Sequence, residues 1–204
     1  MKILMFSGGL DSTYLAWRLL TNNDDPDGVH LHYVSMRNDS ERLWKKEDIA
    51  TENIVSYFKK QNYKFIYSKS KFEFFGHVSC GWTSDILPVI AQKVALNSYG
   101  HKIDVLFGWT PYDLEQPAVR DREDRGVVQN IWKSVVQGLS NRQYVNEKIQ
   151  FPLIEWNITK DIMFKEMPQD LIDLTWSCRN GGDTPCGQCH SCIERNQYVN
   201  QCKF

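Results

Sequence analysis

The apolar run from Lys2 to Phe6 leads directly into Ser7, Gly8, Gly9, Leu10, Asp11 and Ser12, and an amphipathic segment from Thr13 to Leu20 follows without a spacer. Strand, tight glycine turn and helix in that order predict an α/β unit with the helix folded back over a sheet. Such a turn gathers backbone N–H groups at a helix N-terminus, where unpaired donors and the positive end of the helix dipole form an anion site. Phosphate is the anion that fits. Gly8 and Gly9 permit the sharp turn and a close approach, Ser7 and Ser12 offer hydroxyls, and Asp11 supplies a carboxylate for a phosphate-bound Mg²⁺. The same residues also suit an ordinary strand-to-helix turn capped by Asp11 or Ser12. Six residues in this setting weigh toward nucleotide chemistry, with Ser7 through Ser12, Leu10 included, as the expected ATP-binding stretch.

Farther along, β-rich apolar runs alternate with helical patterns, the signature of a parallel sheet with crossover helices. Five strands are predicted, over Lys2 to Phe6, Val29 to Met36, Lys64 to Tyr67, Ile103 to Gly108 and Ile149 to Ile154. Helices are predicted over Ser40 to Lys60, over Asp85 to Tyr99 with Ser84 as cap, over Gly126 to Leu139, and from a Thr159 cap to just before Pro168. The stretch Trp109 to Gly126, with Pro111, Pro117 and many charges, reads as a loop leaving a strand's C-terminal end, where open α/β sheets place ligands.

A chain of 204 residues buries a sizeable core. Its formal net charge of −1 argues against a broad RNA-binding surface, and Lys59-Lys60 and Lys69 with Lys71 read as solvated faces. A small-molecule substrate is therefore expected, without a stable nucleic-acid partner. No apolar stretch approaches a membrane span, so a cytoplasmic, membrane-free protein is expected.

Four of the six cysteines, Cys178, Cys186, Cys189 and Cys192, crowd into one short tail. Pairs two residues apart can turn both thiolates toward one ion, and the neighbouring Gly and Pro supply tight turns. Four thiolates make a closed tetrahedral Zn²⁺ site of structural character. A 4Fe–4S cluster also takes four cysteines and is the alternative. His190 reads as an exposed loop histidine, and Cys80 and Cys202 as ordinary thiols. The chain thus divides into an ATP-binding α/β domain over residues 1–155 and a helical, zinc-binding subdomain over 156–204.

The glycine turn resembles the PP-loop of ATP pyrophosphatases, which cleave ATP to AMP and pyrophosphate while adenylating a carboxylate or carbonyl-like oxygen. Thr175, Trp176, Ser177 and Cys178, followed by Cys186, Gly187, Gln188, Cys189, Cys192 and Arg195, are similar to the tail of the QueC family of 7-cyano-7-deazaguanine synthases. The resemblance implies a five-stranded HUP-type, Rossmann-like parallel sheet, Zn²⁺ on the four cysteines, and an ATP- and Mg²⁺-dependent ligase. It implies that 7-carboxy-7-deazaguanine is adenylated, aminated by ammonia and dehydrated to the nitrile with a second ATP. Asp11, Ser12 and Lys160 become the expected catalytic residues, Lys160 reading equally as a solvated helix-start lysine. A homodimer is implied by the resemblance alone.

Departures fall in residues 75 to 126. Gly81 to Asp85 and Trp109 to Glu115 stand where the family carries its purine-pocket motifs, with Asp121-Arg122 or Asp124-Arg125 as remnants of an acid–Arg pair. Trp82, Trp109 and Tyr112 suit stacking on a heterocycle or aromatic core packing. This divergence suits a phage-encoded or specialised relative, acting in the host cytoplasm. Three functions follow: the deazaguanine ligase, or a variant stopping at the amide or taking another deazapurine; a PP-loop tRNA-modifying enzyme; and a non-catalytic nucleotide-binding protein.

Overall fold

β1 (Lys2–Met5) is apolar on both sides because it lies in the middle of a parallel sheet, with β2 (Val29–Asn38) on one side and β4 (Asp104–Phe107) on the other. The computed structural model describes residues 1–22, 28–38, 43–74, 87, 90, 91, 94, 104–115, 149–180 and 182–201. Strand order is β3-β2-β1-β4-β5, where β3 is Phe65–Phe74 and β5 is Ile149–Gln150, and every pairing is parallel. Ile3 and Met5 face one core cluster with Val34, Met36, Val105 and Phe107, whereas Leu4 and Phe6 face the other with Leu31 and Leu106. Burial on both faces explains why these strands read as continuous apolar runs.

The chain builds outward from β1 to β2 and β3, then returns across β1 to start β4. The reversal opens a crevice at the carboxyl ends of β1 and β4, the place where open α/β sheets receive ligands. α1 (Leu10–Asn22) leaves β1 at that crevice and buries Leu10, Tyr14, Leu15, Ala16 and Leu20. α2 (Leu43–Lys60) buries Ala50, Thr51, Ile54, Val55 and Phe58 and leaves Ile49 exposed, off that stripe. It ends at Asn62, whose φ of 59° is a left-handed stop that turns the chain toward β3.

Several elements differ from the sequence expectation. β3 runs on to Phe74 instead of Tyr67, paired with β2 residue by residue; Ser68, Lys69, Ser70 and Lys71 hid it because the sheet ends there and a charged edge resists further pairing. The fifth strand stops after two residues, leaving four strands of substance, because Pro152 starts α4 (Pro152–Glu155) rather than extending a ladder. The loop after β4 contains a short helix, α3 (Pro111–Glu115), set by Asp113, whose carboxylate accepts from the Thr110 backbone N–H at 2.7 Å and from its hydroxyl at 2.8 Å. Leu87, Ile90, Ala91 and Val94 are helical and pack on the Ile3 face, as the Asp85 to Tyr99 helix requires. The remainder of that helix, residues 39–42 and 116–126, and the Gly126 to Leu139 helix lie outside the described residues.

Beyond α4, α5 (Lys160–Glu166), α6 (Gln169–Leu174) and α7 (His190–Gln201) follow. Thr159 precedes α5 as expected, but its hydroxyl donates to the Asp161 carboxylate instead of capping the backbone. Ile158, Met163, Phe164, Met167, Leu171 and Ile172 complete the cluster that holds Leu4, Tyr14 and Leu31. No helix among the described residues is long and apolar enough to cross a membrane.

One buried polar pair in the sheet has a pH signature. Ser68 Oγ lies 2.6 Å from both His30 Nε2 and His32 Nδ1, and its single proton can go to only one ring. Burial lowers both histidine pKa values, and His32, with His30 beside it, falls to about 4. A depressed folded pKa gives stability that is complete above the unfolded value near 6.5 and lost as pH falls toward 4. Up to about 3 kcal/mol is expected to go over that window through His32. Denaturant midpoints measured between pH 7 and 4.5 check this: His32→Phe should flatten the profile, and an unchanged slope would refute the assignment.

Candidate active site and metal centre

The turn from Ser7 to Ser12 is built around a glycine that nothing else can replace. Gly8 has φ 73°, and a Cβ there would meet Thr51 N at 3.0 Å and Ala50 Cβ at 3.2 Å, so the turn lies directly against α2. Ser12 Oγ sits inside the turn: it accepts from Ser7 N at 3.2 Å, lies 3.1 Å from Ser7 Oγ, and donates to Gly9 O at 3.2 Å. Thr13 N donates to Gly9 O at 3.0 Å and begins α1. The turn is therefore preformed, with its backbone at a helix N-terminus in the sheet crevice.

Asp11, in the first turn of α1, meets Lys160, the first residue of α5. The Lys160 ammonium lies 2.5 and 2.7 Å from the two carboxylate oxygens and 3.9 Å from Glu194 on α7. Burial raises the Asp11 pKa, Lys160 opposes that rise, and Asp113 adds to it; the net shift is upward. For Lys160, burial lowers the pKa, but Asp11 and Glu194 outweigh it and the ammonium is held. Glu194 is also pushed up, first by burial, with Lys160 opposing. Asp11, Glu194 and Asp113 against the Lys160 ammonium, with Arg179 as a second cation acting on Asp11, still leave surplus negative charge, an arrangement suited to a divalent cation carrying polyphosphate.

Gly108, at the exit of β4, is the close-approach residue that sequence reading missed. A Cβ there would lie 2.9 Å from Ser12 Cα and from Ser12 N, so any side chain would push β4 away from the turn. A glycine following the apolar residues Val105, Leu106 and Phe107 was the available signal. Asp113 and Glu194 were also missed, because nothing local marks them as neighbours of Lys160.

The other expected site residues divide. Trp109 packs its ring 5.4 Å from that of Phe151, against the second core cluster. Tyr112 stacks on His190 at 5.3 Å, with its hydroxyl 2.6 Å from His190 Nε2. His190 is exposed as expected but opens α7 rather than sitting in a loop. Trp82, Asp121 and Arg122, and likewise Cys80, Asp124, Arg125 and Cys202, lie outside the described residues.

Cys178, Cys186, Cys189 and Cys192 bring their sulfurs within 4.8 Å of one another. A tetrahedral ion with metal–sulfur bonds near 2.3 Å wants sulfurs about 3.8 Å apart, so a small contraction closes the site around one ion. Gly187, at φ 69°, makes the knuckle. Backbone N–H groups of Cys189 at 3.2 Å and Gln188 at 3.5 Å point at Cys186 Sγ and pull its pKa down to about 6. Burial and the neighbouring thiols push Cys192 up to about 12. Cys189 is also drawn down, its burial outweighed by backbone and thiol hydrogen bonds, so two sulfurs favour the thiolate while Cys192 is crowded against them, a state a cation resolves.

This tail also touches the glycine turn. Trp176 N donates to Gly8 O at 3.0 Å, and Lys46 of α2 lies 5.6 Å over the Trp176 ring.

A parallel α/β sheet thus carries this glycine turn at its switch point, with a four-cysteine tail folded against the turn. Its likeness to solved structures includes a U34-tRNA thiolase, NcsA, from Methanococcus maripaludis, described with its 4Fe–4S cluster: TM-score 0.56, 18% identity, 98% of this chain and 66% of that one. The tail is more particular: residues 125–203 match the sequence model of the queuosine biosynthesis protein QueC, and that segment holds Lys160, all four clustered cysteines and Arg195. Curated 7-cyano-7-deazaguanine synthases match part of the chain. The enzyme of a Synechococcus species is 38% identical over 61 residues, 28% of this chain and 26% of its own. That of Parasynechococcus marenigrum is 46% identical over 45 residues, 22% and 20% respectively. The matched stretch thus spans about a quarter of those relatives' length.

Proposed function

We propose that this protein is an ATP-dependent carbon–nitrogen ligase that converts 7-carboxy-7-deazaguanine and ammonia to 7-cyano-7-deazaguanine. The observation that carries the reading is the meeting, at one crevice, of the Ser7 to Ser12 turn, the Asp11–Lys160 pair and the cysteine tail. Backbone donors of the turn would receive the phosphates, Asp11 would hold a phosphate-bound Mg²⁺, and Lys160, paired with Asp11, stands beside the phosphate position as a cation. Mg²⁺ supplies charge neutralisation on the departing pyrophosphate.

In this reading the substrate carboxylate attacks the α-phosphorus of ATP and pyrophosphate leaves. Ammonia then displaces AMP to give the amide. The amide oxygen then attacks the α-phosphorus of a second ATP and pyrophosphate leaves, and loss of AMP and two protons from the adenylated amide leaves the nitrile. The chain's residues mainly position the partners and offset charge. Zn²⁺ on Cys178, Cys186, Cys189 and Cys192 is structural. A single ion fits sulfurs this close better than a four-iron cube, which must sit between its thiolates and hold them farther apart.

The test is incubation of the purified chain with Mg·ATP, ammonia and 7-carboxy-7-deazaguanine, following AMP and the mass of the base. Nitrile is the expected product. Accumulated amide identifies a shortened reaction, and no AMP with any 7-deazaguanine acid overturns the proposal.

A further inference from the structure

We propose that Arg195 is a positioning residue for the phosphate-binding turn, acting from the cysteine tail through Thr175 and Trp176 on the peptide between Gly8 and Gly9. The inference rests on the functional reading above for its purpose and on geometry alone for its mechanism. Arg195 lies on α7, three residues after Cys192, and its guanidinium reaches back to the end of α6. It donates to Ile172 O at 2.7 Å, to Thr175 O at 3.1 Å and to Thr175 Oγ1 at 2.8 Å. The Thr175 hydroxyl passes its own proton to Ile172 O at 2.7 Å, so both of its roles are taken. Thr175 is thereby fixed from both its side chain and its carbonyl.

The next residue transmits this. Trp176 N donates to Gly8 O at 3.0 Å, while the Trp176 indole N–H donates to Cys178 O at 2.9 Å and its ring lies under Lys46. In a planar trans peptide the carbonyl and the following N–H point in opposite directions. Holding Gly8 O against Trp176 therefore aims the Gly9 N–H away from the tail. That N–H has only a long contact to Ser7 Oγ, 3.4 Å, and so remains able to turn to a phosphate oxygen. Gly8, lacking a Cβ and at positive φ, is the residue whose peptide flips most readily when unrestrained. A cap on α6 alone would need the Ile172 contact. Arg195 makes two more, both on the residue beside the one that grips the turn.

The experiment uses the full chain with its metal. In Arg195→Gln, metal content should stay at the wild-type ratio and exchange in β1 and β2 should be unchanged, while the Trp176 amide loses protection and Mg·ATP affinity falls about ten-fold. Arg195→Lys, a point charge without the planar fork, should fall between. Wild-type protection at Trp176 and wild-type Mg·ATP affinity in Arg195→Gln would overturn the proposal; so would metal loss in step with affinity, which makes Arg195 a folding residue. Should Arg195→Gln fail to fold, Thr175→Val decides, since it deletes only the hydroxyl link, and unchanged Trp176 exchange there refutes the relay. A wild-type chain that binds no Mg·ATP removes the functional reading, and Trp176 exchange still tests the relay.

Discussion

Asp11→Asn is expected to cut AMP release about a thousand-fold while leaving the chain folded, because a carboxylate that holds the phosphate-bound cation acts where transition-state charge develops. The substitution keeps the side chain's shape and removes its charge. Lys160 then exchanges two carboxylate acceptors at 2.5 and 2.7 Å for one neutral amide oxygen, and keeps Glu194 at 3.9 Å. The structural cost should therefore stay near 1–2 kcal/mol, the scale of a charge-assisted bond exchanged for a weaker one, and thermal midpoints should move by only a few degrees. Quenched-flow AMP measurement alongside calorimetry separates the two effects. AMP release within ten-fold of the wild-type rate would mean that Asp11 carries no metal.

Cys178→Ser is expected to have the largest effect on structure. Cys178 and Cys192 are buried, so a missing thiolate leaves three sulfurs that cannot close around an ion. Metal should fall from about one per chain to near zero. Because metal binding supplies folding energy on the order of several kcal/mol, the segment from Thr175 to Gln201 should lose amide protection. Mg·ATP affinity should drop with it, since Trp176 N no longer holds Gly8 O. Elemental analysis with hydrogen exchange reads both, and a colourless protein containing zinc separates that metal from an iron–sulfur cluster. Full metal content and unchanged exchange in Cys178→Ser would remove this site.

What the sequence disclosed was whatever is local. The turn from Ser7 to Ser12 and the cysteines from Cys178 to Cys192 are each compact strings whose spacing alone sets their geometry. β1, β2 and β4 were visible because both of their faces are apolar. β3 was cut short by Ser68 to Lys71, where an edge position replaces hydrophobicity with charge. α3 escaped notice because two residues, Thr110 and Asp113, make it. Asp11 and Lys160 were each singled out, yet their pairing across 149 positions had no sequence signature. Gly108 against Ser12, and Glu194 against Lys160, are encounters that only the folded sheet creates.

The joining of Gly8 to Trp176, Asp11 to Lys160 and Tyr14 to Glu166 has a consequence for biosynthesis. On the ribosome, β1, α1 and β2 emerge long before the residues that cover them, so Leu4, Tyr14 and Leu31 wait for Met163, Phe164 and Leu171. Contacts of such high sequence separation delay the rate-limiting step of folding. The half-made chain presents a sheet face open to wrong partners. On the proposed reading, the phosphate-binding turn gains its partners Lys160 and Trp176 only once the cysteine tail has been translated, so a nascent chain has no completed site to hold ATP before then.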